Sequence, residues 1–182
     1  DVSQTKKDRF GDTSFGRACL AATQLIQVGV RCVEITLGGW DSHINNTSAQ
    51  ANRTNIMDAA MSSLLAELED TGLLESTIVV WGGEFGRTPW LNSTNGRDHW
   101  PHGFTIGLGG GGIQGGRVIG ETNPEPDRDA KDETADVVDA HEVQDIHATV
   151  FKALGIDYEQ EMMTPVGRPM IVAQGTAIKE LF

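Results

Sequence analysis

Apolar positions along the chain follow two periodicities. Phe15, Ala18, Ala22, Leu25 and Ile26 recur at helical spacing with Gly29 as a stop, which predicts an amphipathic helix over 14–28. Met57, Ala60, Met61, Leu64, Leu65 and Leu68 predict a longer helix over 47–71, ended by Gly72. Between them "VRCVEITL" (30–37) is short, β-branched and bounded by Gly29 and by Gly38-Gly39, the pattern of a strand covered on both faces. "STIVVWGGEF" (76–85) predicts a second buried strand, and "FTIGLGG" (104–110) and "GRVIG" (116–120) predict two more extended segments. A last helix is expected to open at Asp139, with Glu142 three residues on in capping-box spacing, and to bury Val143, Ile146, Val150 and Leu154 before Gly155. Strands alternating with helices predict one α/β domain over 1–182, with a largely parallel sheet and helices on both faces. The strands at 30–37 and 76–85 are then parallel neighbours joined by a right-handed crossover. The polar, proline-bearing stretch 121–138 reads as an exposed loop.

Charge narrows the class of partner. With 26 acidic and 14 basic residues the net charge is −12, which repels nucleic acid and anionic membrane surfaces, and the basic residues form no cluster. No apolar run approaches the roughly 20 residues needed to span a bilayer. Cys19 and Cys32 lack CxxC spacing and fall in the predicted first helix and first strand, so both read as core thiols.

Ligands of open α/β sheets bind beyond the carboxyl ends of the strands, so the chemistry is sought there. "GGWDSHINN" places Asp41 and His43 after the first strand. "GGEFGRTPWLN" places Glu84, Arg87 and Thr88 after the second, and "GRDHWPHG" (96–103) adds Asp98, His99 and His102 before the third. Three carboxylates and three histidines from neighbouring loops form a ligand set for zinc, manganese or iron, with calcium or magnesium favoured where carboxylates dominate. Each pair alone fits a plainer reading better: Asp41 and His43 in a hydrogen-bonded turn, Glu84 paired with Arg87, Asp98 bonded to His99. Trp81 reads as packing and His147 as an ordinary helix residue. "GLGGGGIQGG" contains a formal GxGxxG at Gly107, Gly109 and Gly112, but more glycines and an extended segment follow instead of a helix, so it reads as a glycine turn. "DRDAKDE" (127–133) is acidic but lacks the glycine of a calcium loop, and reads as solvated.

Taken together, "GGWDSH", "GEFGRTP", "GRDHWPHGFTIGLGGGGIQGGRVIGET", "QDIHATVFKALGID" and "VGRPM" resemble the bacterial domain-of-unknown-function family fifteen-oh-one, whose members are mostly exported. That family is placed in the alkaline phosphatase and sulfatase superfamily. The resemblance implies a metal-dependent cleavage of phosphate or sulfate esters, with a small anionic ester as substrate. It implies one divalent cation (zinc, manganese or calcium) on Asp41, His43 and either His99 or His102, with Arg87 assisting at the anion. The superfamily's second cation sits on a consecutive Asp-His, whereas this chain has Glu84 and Phe85, and phenylalanine cannot ligate. The nucleophile and a further Asp ligand belong to an amino-terminal half, so the resemblance makes this chain the carboxy-terminal portion of a longer protein. The alternative is a non-catalytic exported or envelope module that keeps the fold and binds a ligand.

Overall fold

The computed structural model describes residues 2–126 and 136–182, which form two compact units. The first unit comprises residues 1–74 and 87–99, the second residues 75–86 and 100–182.

In the first unit, helix α1 (Gln4–Arg9) starts at Ser3, whose hydroxyl accepts the Lys6 N–H. Helix α2 (Ser14–Gln27) is capped in the same way by Thr13, which accepts the Gly16 N–H at 3.0 Å. Helix α3 (Asn46–Asp70) packs along α2. The buried positions of α3 are Ala60, Ser63, Leu64, Glu67 and Leu68, one face at three- and four-residue spacing. They meet Phe15, Cys19, Leu20 and Ala22 of α2 in a core that also takes in Phe10. A side chain at Gly16 would stand 2.1 Å from the Phe10 carbonyl oxygen, so glycine is what lets the turn before α2 fold onto its first turn. Buried Glu67 is compensated by an ion pair with Lys6.

The second unit contains an antiparallel pair, β1 (Ile78–Gly82) against β4 (Ile106–Gly110). The two-residue strands β2 (Gly86–Arg87) and β3 (His99–Trp100) lie where the chain passes between the units. Strands β5 (Glu121–Thr122) and β6 (Val137–Val138) pair antiparallel, as do β7 (Glu161–Met163) and β8 (Pro169–Ile171). Helix α4 (Val143–Ala153) packs Ala148 against Ala173 and Ala177, with Phe151 and Tyr158 at the edge of this small core. Thr149, fully buried on α4, accepts the Ile178 N–H at 2.9 Å and donates to the Asp145 carbonyl at 2.7 Å, which ties the carboxyl end of the chain to the helix.

The largely parallel sheet with helices on both faces is not what forms. The strands are short and lie in antiparallel pairs. The pairing of β1 with β4 has a steric logic, because four of its five cross-strand pairs set a glycine against a larger residue: Ile78 against Gly110, Val79 against Gly109, Trp81 against Gly107 and Ile106 against Gly82. A side chain at Gly107 would stand 2.1 Å from the Trp81 ring, which therefore lies over that glycine with 42 % of its surface exposed. Residues 30–37 form no strand and have no parallel partner, so the expected right-handed crossover is absent as well. No backbone hydrogen bond joins residues 31–39 to another described residue, and Cys32 is exposed instead of buried.

Smaller corrections concern the last third of the chain. Helix α4 begins at Val143 behind an N-cap at Glu142, whose N–H donates to the Asp145 carboxylate at 3.0 Å; Asp139, in a left-handed conformation (φ 50°), lies outside it. Its buried residues are Ala148 and Thr149, while Val143 and Leu154 are more than half exposed. The segment 116–120, expected to be extended, forms no strand, and β5 follows directly after it. Of the stretch 121–138, both ends pair as β5 and β6, and the acidic run 127–133 lies outside the described residues.

Candidate metal centre

The chain leaves α2, runs without regular secondary structure to Trp40 and turns into α3 through residues 41–45. Ser42 anchors this turn: its buried hydroxyl donates to the Asn46 side chain at 2.7 Å and accepts from Gln50 at 2.9 Å, both on the first turns of α3. Asn45, just before the helix, takes up a left-handed backbone (φ 50°), the conformation Asn tolerates best after Gly. Asp41 and His43 thus flank a residue held fast by the helix that follows.

The second stretch, 87–99, doubles back beside the first. The Asn45 N–H donates to the Thr94 carbonyl at 3.1 Å, Asn46 N–H to Asn95 at 2.8 Å, and Arg97 N–H to Ser42 at 3.0 Å. Thr88 and Asp98 close the base of this loop through Thr88 N–H to the Asp98 carbonyl at 2.9 Å and Asp98 N–H to the Thr88 hydroxyl at 3.2 Å. Close approach needs a glycine at 96, because a Cβ there would lie 1.9 Å from the carbonyl carbon and oxygen of His43.

Three ligand atoms converge where the two stretches meet. His43 Nε2 lies 2.9 Å from Asp41 Oδ1 and 3.3 Å from His99 Nε2, and His99 Nε2 lies 3.1 Å from Asp41 Oδ1. A tetrahedral zinc ion with bonds of about 2.0–2.1 Å separates its ligand atoms by about 3.3 Å, so the triangle needs only a few tenths of an ångström of adjustment to hold one. Around it stand two further groups. The other nitrogen of His43, Nδ1, lies 2.7 Å from Asp98 Oδ1, and Arg87 forms an ion pair with Asp41 Oδ1. The Arg87 guanidinium, then the hydrogen bond from His99, hold the Asp41 carboxyl below its ordinary range. The bond to His43, then that from Asn92, do the same for Asp98.

Of the residues proposed from the sequence, Asp41, His43 and His99 form the triangle, Asp98 backs His43, and Arg87 holds Asp41. Glu84 and His102 belong to the second unit and are not members of this three-ligand group. Glu84 is exposed, and the His102 ring meets Trp100 edge-on with centroids 5.6 Å apart. Three contributors escape a search for ligand chemistry: Asn92, Thr94 and Gly96. Their signal is the turn-rich run "NSTNG" (92–96), which marks a tight, side-chain-bonded loop immediately before the ligands.

No helix of the described residues is long and apolar enough to cross a membrane. No curated protein and no solved structure matches the chain. A family model does match, over residues 1–182, and the chain therefore belongs to the family described as protein of unknown function DUF1501.

Proposed function

We propose that the chain holds one divalent cation, zinc by preference, on Asp41, His43 and His99, and that this centre serves the hydrolysis of an anionic phosphate or sulfate ester. The observation that carries the reading is the triangle of Asp41 Oδ1, His43 Nε2 and His99 Nε2 with edges of 2.9, 3.1 and 3.3 Å. Three protein ligands with an open side are the pattern of catalytic zinc, whereas structural sites close all four positions with protein groups. The donor set of one carboxylate and two imidazoles suits zinc and manganese better than calcium, which collects oxygen ligands. When bound, such a cation supplies Lewis acidity toward an ester oxygen.

The surrounding residues have separable tasks in this reading. Asp98 keeps the His43 proton on Nδ1, which leaves Nε2 as a lone pair toward the triangle. Arg87 holds Asp41 ionised and puts a positive charge beside the position an ester anion would take. Ser42 and Thr88, the hydroxyls nearest the ligands in sequence, are buried and already engaged, Ser42 with Asn46 and Gln50 and Thr88 with the Trp90 carbonyl and the Asp98 N–H. Neither is placed as a nucleophile, so the attacking oxygen has another source.

A second reading, a ligand-binding module without turnover, is favoured by exposure. The Asp41, His43 and His99 side chains are 58, 44 and 50 % exposed, more open than a site that shields its reaction from water. Calorimetric titration with zinc tests the first step of both readings. One ion per chain is expected, and His43→Ala or His99→Ala should weaken binding on the order of 100-fold or more, a share of the roughly 10–16 kcal/mol that four ligands supply together. A chain that binds no zinc sinks both. Turnover of an aryl phosphate or aryl sulfate by the zinc-loaded chain separates them: hydrolysis lost with His99→Ala favours the hydrolase, and saturable phosphate or sulfate binding with no turnover favours the module.

A further inference from the structure

Asn92 lies outside the ligand group yet reaches both the backbone and the supporting shell of His43. Its Nδ2 donates to Asp98 Oδ1 at 3.0 Å and to the His43 carbonyl at 3.1 Å. Its Oδ1 accepts from Thr94 N–H at 3.0 Å and from Gly96 N–H at 2.8 Å. The orientation of the amide is determined by these partners, because acceptors surround one end and backbone donors the other. Asn92 also closes its own loop, its N–H donating to the Gly96 carbonyl at 2.9 Å and its carbonyl accepting from Asn95 at 3.1 Å.

We infer that Asn92 is the positioning residue of the metal centre: its amide nitrogen fixes the Asp98 carboxylate and the His43 backbone at once, and so sets which nitrogen of His43 is bare. Asp98 Oδ1 receives two donors, Asn92 Nδ2 and His43 Nδ1. With Asn92 in place that oxygen cannot rotate away, and a proton on His43 Nδ1 has a fixed acceptor at 2.7 Å. The lone pair of the neutral ring is then on Nε2, the atom that faces Asp41 and His99. The other half of the amide belongs to the loop. One side chain therefore couples the shape of 92–96 to the tautomer of a histidine 49 residues earlier. Groups that orient a ligating histidine in this way typically change metal affinity 10–100-fold when replaced.

The inference rests on the metal reading for its consequence, but not for its test. Asn92→Asp keeps an oxygen for Thr94 and Gly96 and removes the two donations from Nδ2. Nitrogen NMR of the metal-free protein at about pH 8 reads the His43 tautomer directly. Wild type is expected to carry the proton on Nδ1, and Asn92→Asp, whose second oxygen would face Asp98 Oδ1 and the His43 carbonyl, to shift a substantial fraction to Nε2, with a lower thermal midpoint and a 10–100-fold weaker zinc constant. Asn92→Ser, which also keeps an oxygen for the loop, serves if the aspartate variant does not fold. An Nε2–H tautomer in wild type, or variants with wild-type tautomer and affinity, would overturn the assignment. A wild-type chain that binds no zinc overturns the metal reading instead, and leaves the tautomer measurement to decide on Asn92.

Discussion

The Nε2 atoms of His43 and His99 stand 3.3 Å apart, a separation at which two imidazoles must share a proton or a cation. Two protonated rings at that distance would repel, and two bare lone pairs would also repel. A cation resolves the conflict for His43, His99 and Asp41 together, but only neutral imidazoles can bind it. Zinc affinity is therefore expected to be lower at acid pH, with protons released on binding. Titrations at pH 7.5 and 5.5 in two buffers of different ionisation enthalpy measure both quantities. Equal affinity at the two pH values would remove the histidines from the site.

Acid stability should register the two carboxylates. Asp41 and Asp98 are both held below the ordinary aspartate range in the folded chain, Asp41 chiefly by Arg87 and Asp98 chiefly by His43. A depressed folded value means that the stabilisation is complete above the unfolded value, about 3.9, and is lost as pH falls through the lower folded one. Urea midpoints of the metal-free protein should thus decline below about pH 4, and less so for Asp41→Asn, whose amide does not titrate. Identical pH profiles for the two chains would contradict this account.

Gly96 is expected to tolerate no side chain. A Cβ there overlaps the His43 carbonyl at 1.9 Å, so Gly96→Ala has to push apart the two stretches that carry the ligands. The expected loss is about 1–3 kcal/mol in urea unfolding, in the range of overpacking substitutions. Zinc binding should weaken in parallel, because His43 is the residue displaced. Wild-type stability and affinity in this variant would show that the loop yields freely.

The two thiols are expected to differ in reactivity. Cys19 is fully buried on α2, and burial pushes its thiol up to about 11, while Cys32 is exposed. Iodoacetamide at pH 8 should label Cys32 in the native protein and Cys19 only after unfolding, with the modified peptides identified by mass spectrometry. Native labelling of Cys19 at a comparable rate would mean that the α2–α3 core opens readily.

The helical parts of the fold were legible because burial on a helix follows directly from spacing: Leu64 and Leu68 are buried where the periodicity puts them. Strand partners were not. Along 30–37 the alternation survives, with Val33, Ile35 and Leu37 half-buried and Cys32, Glu34 and Thr36 exposed. Period two specifies an extended chain and which side faces inward, but not which strand pairs with it, and here no described strand does. Residue chemistry alone brought Asp41, His43 and His99 into view. Asn92 and Gly96 stayed hidden, since an amide and a glycine act only through what they touch.

Because the first unit is assembled from 1–74 and 87–99, the centre belongs to neither stretch by itself. A chain stopped after residue 74 would retain both long helices, Asp41 and His43, yet lack His99, the Asp98 support and the Asn92 bracket. If the proposed centre holds its cation, binding is a folding reporter for this protein. It becomes measurable only once two segments separated by twelve residues of the other unit have found each other, and a variant that unravels their junction should go silent to zinc while its helical signal persists.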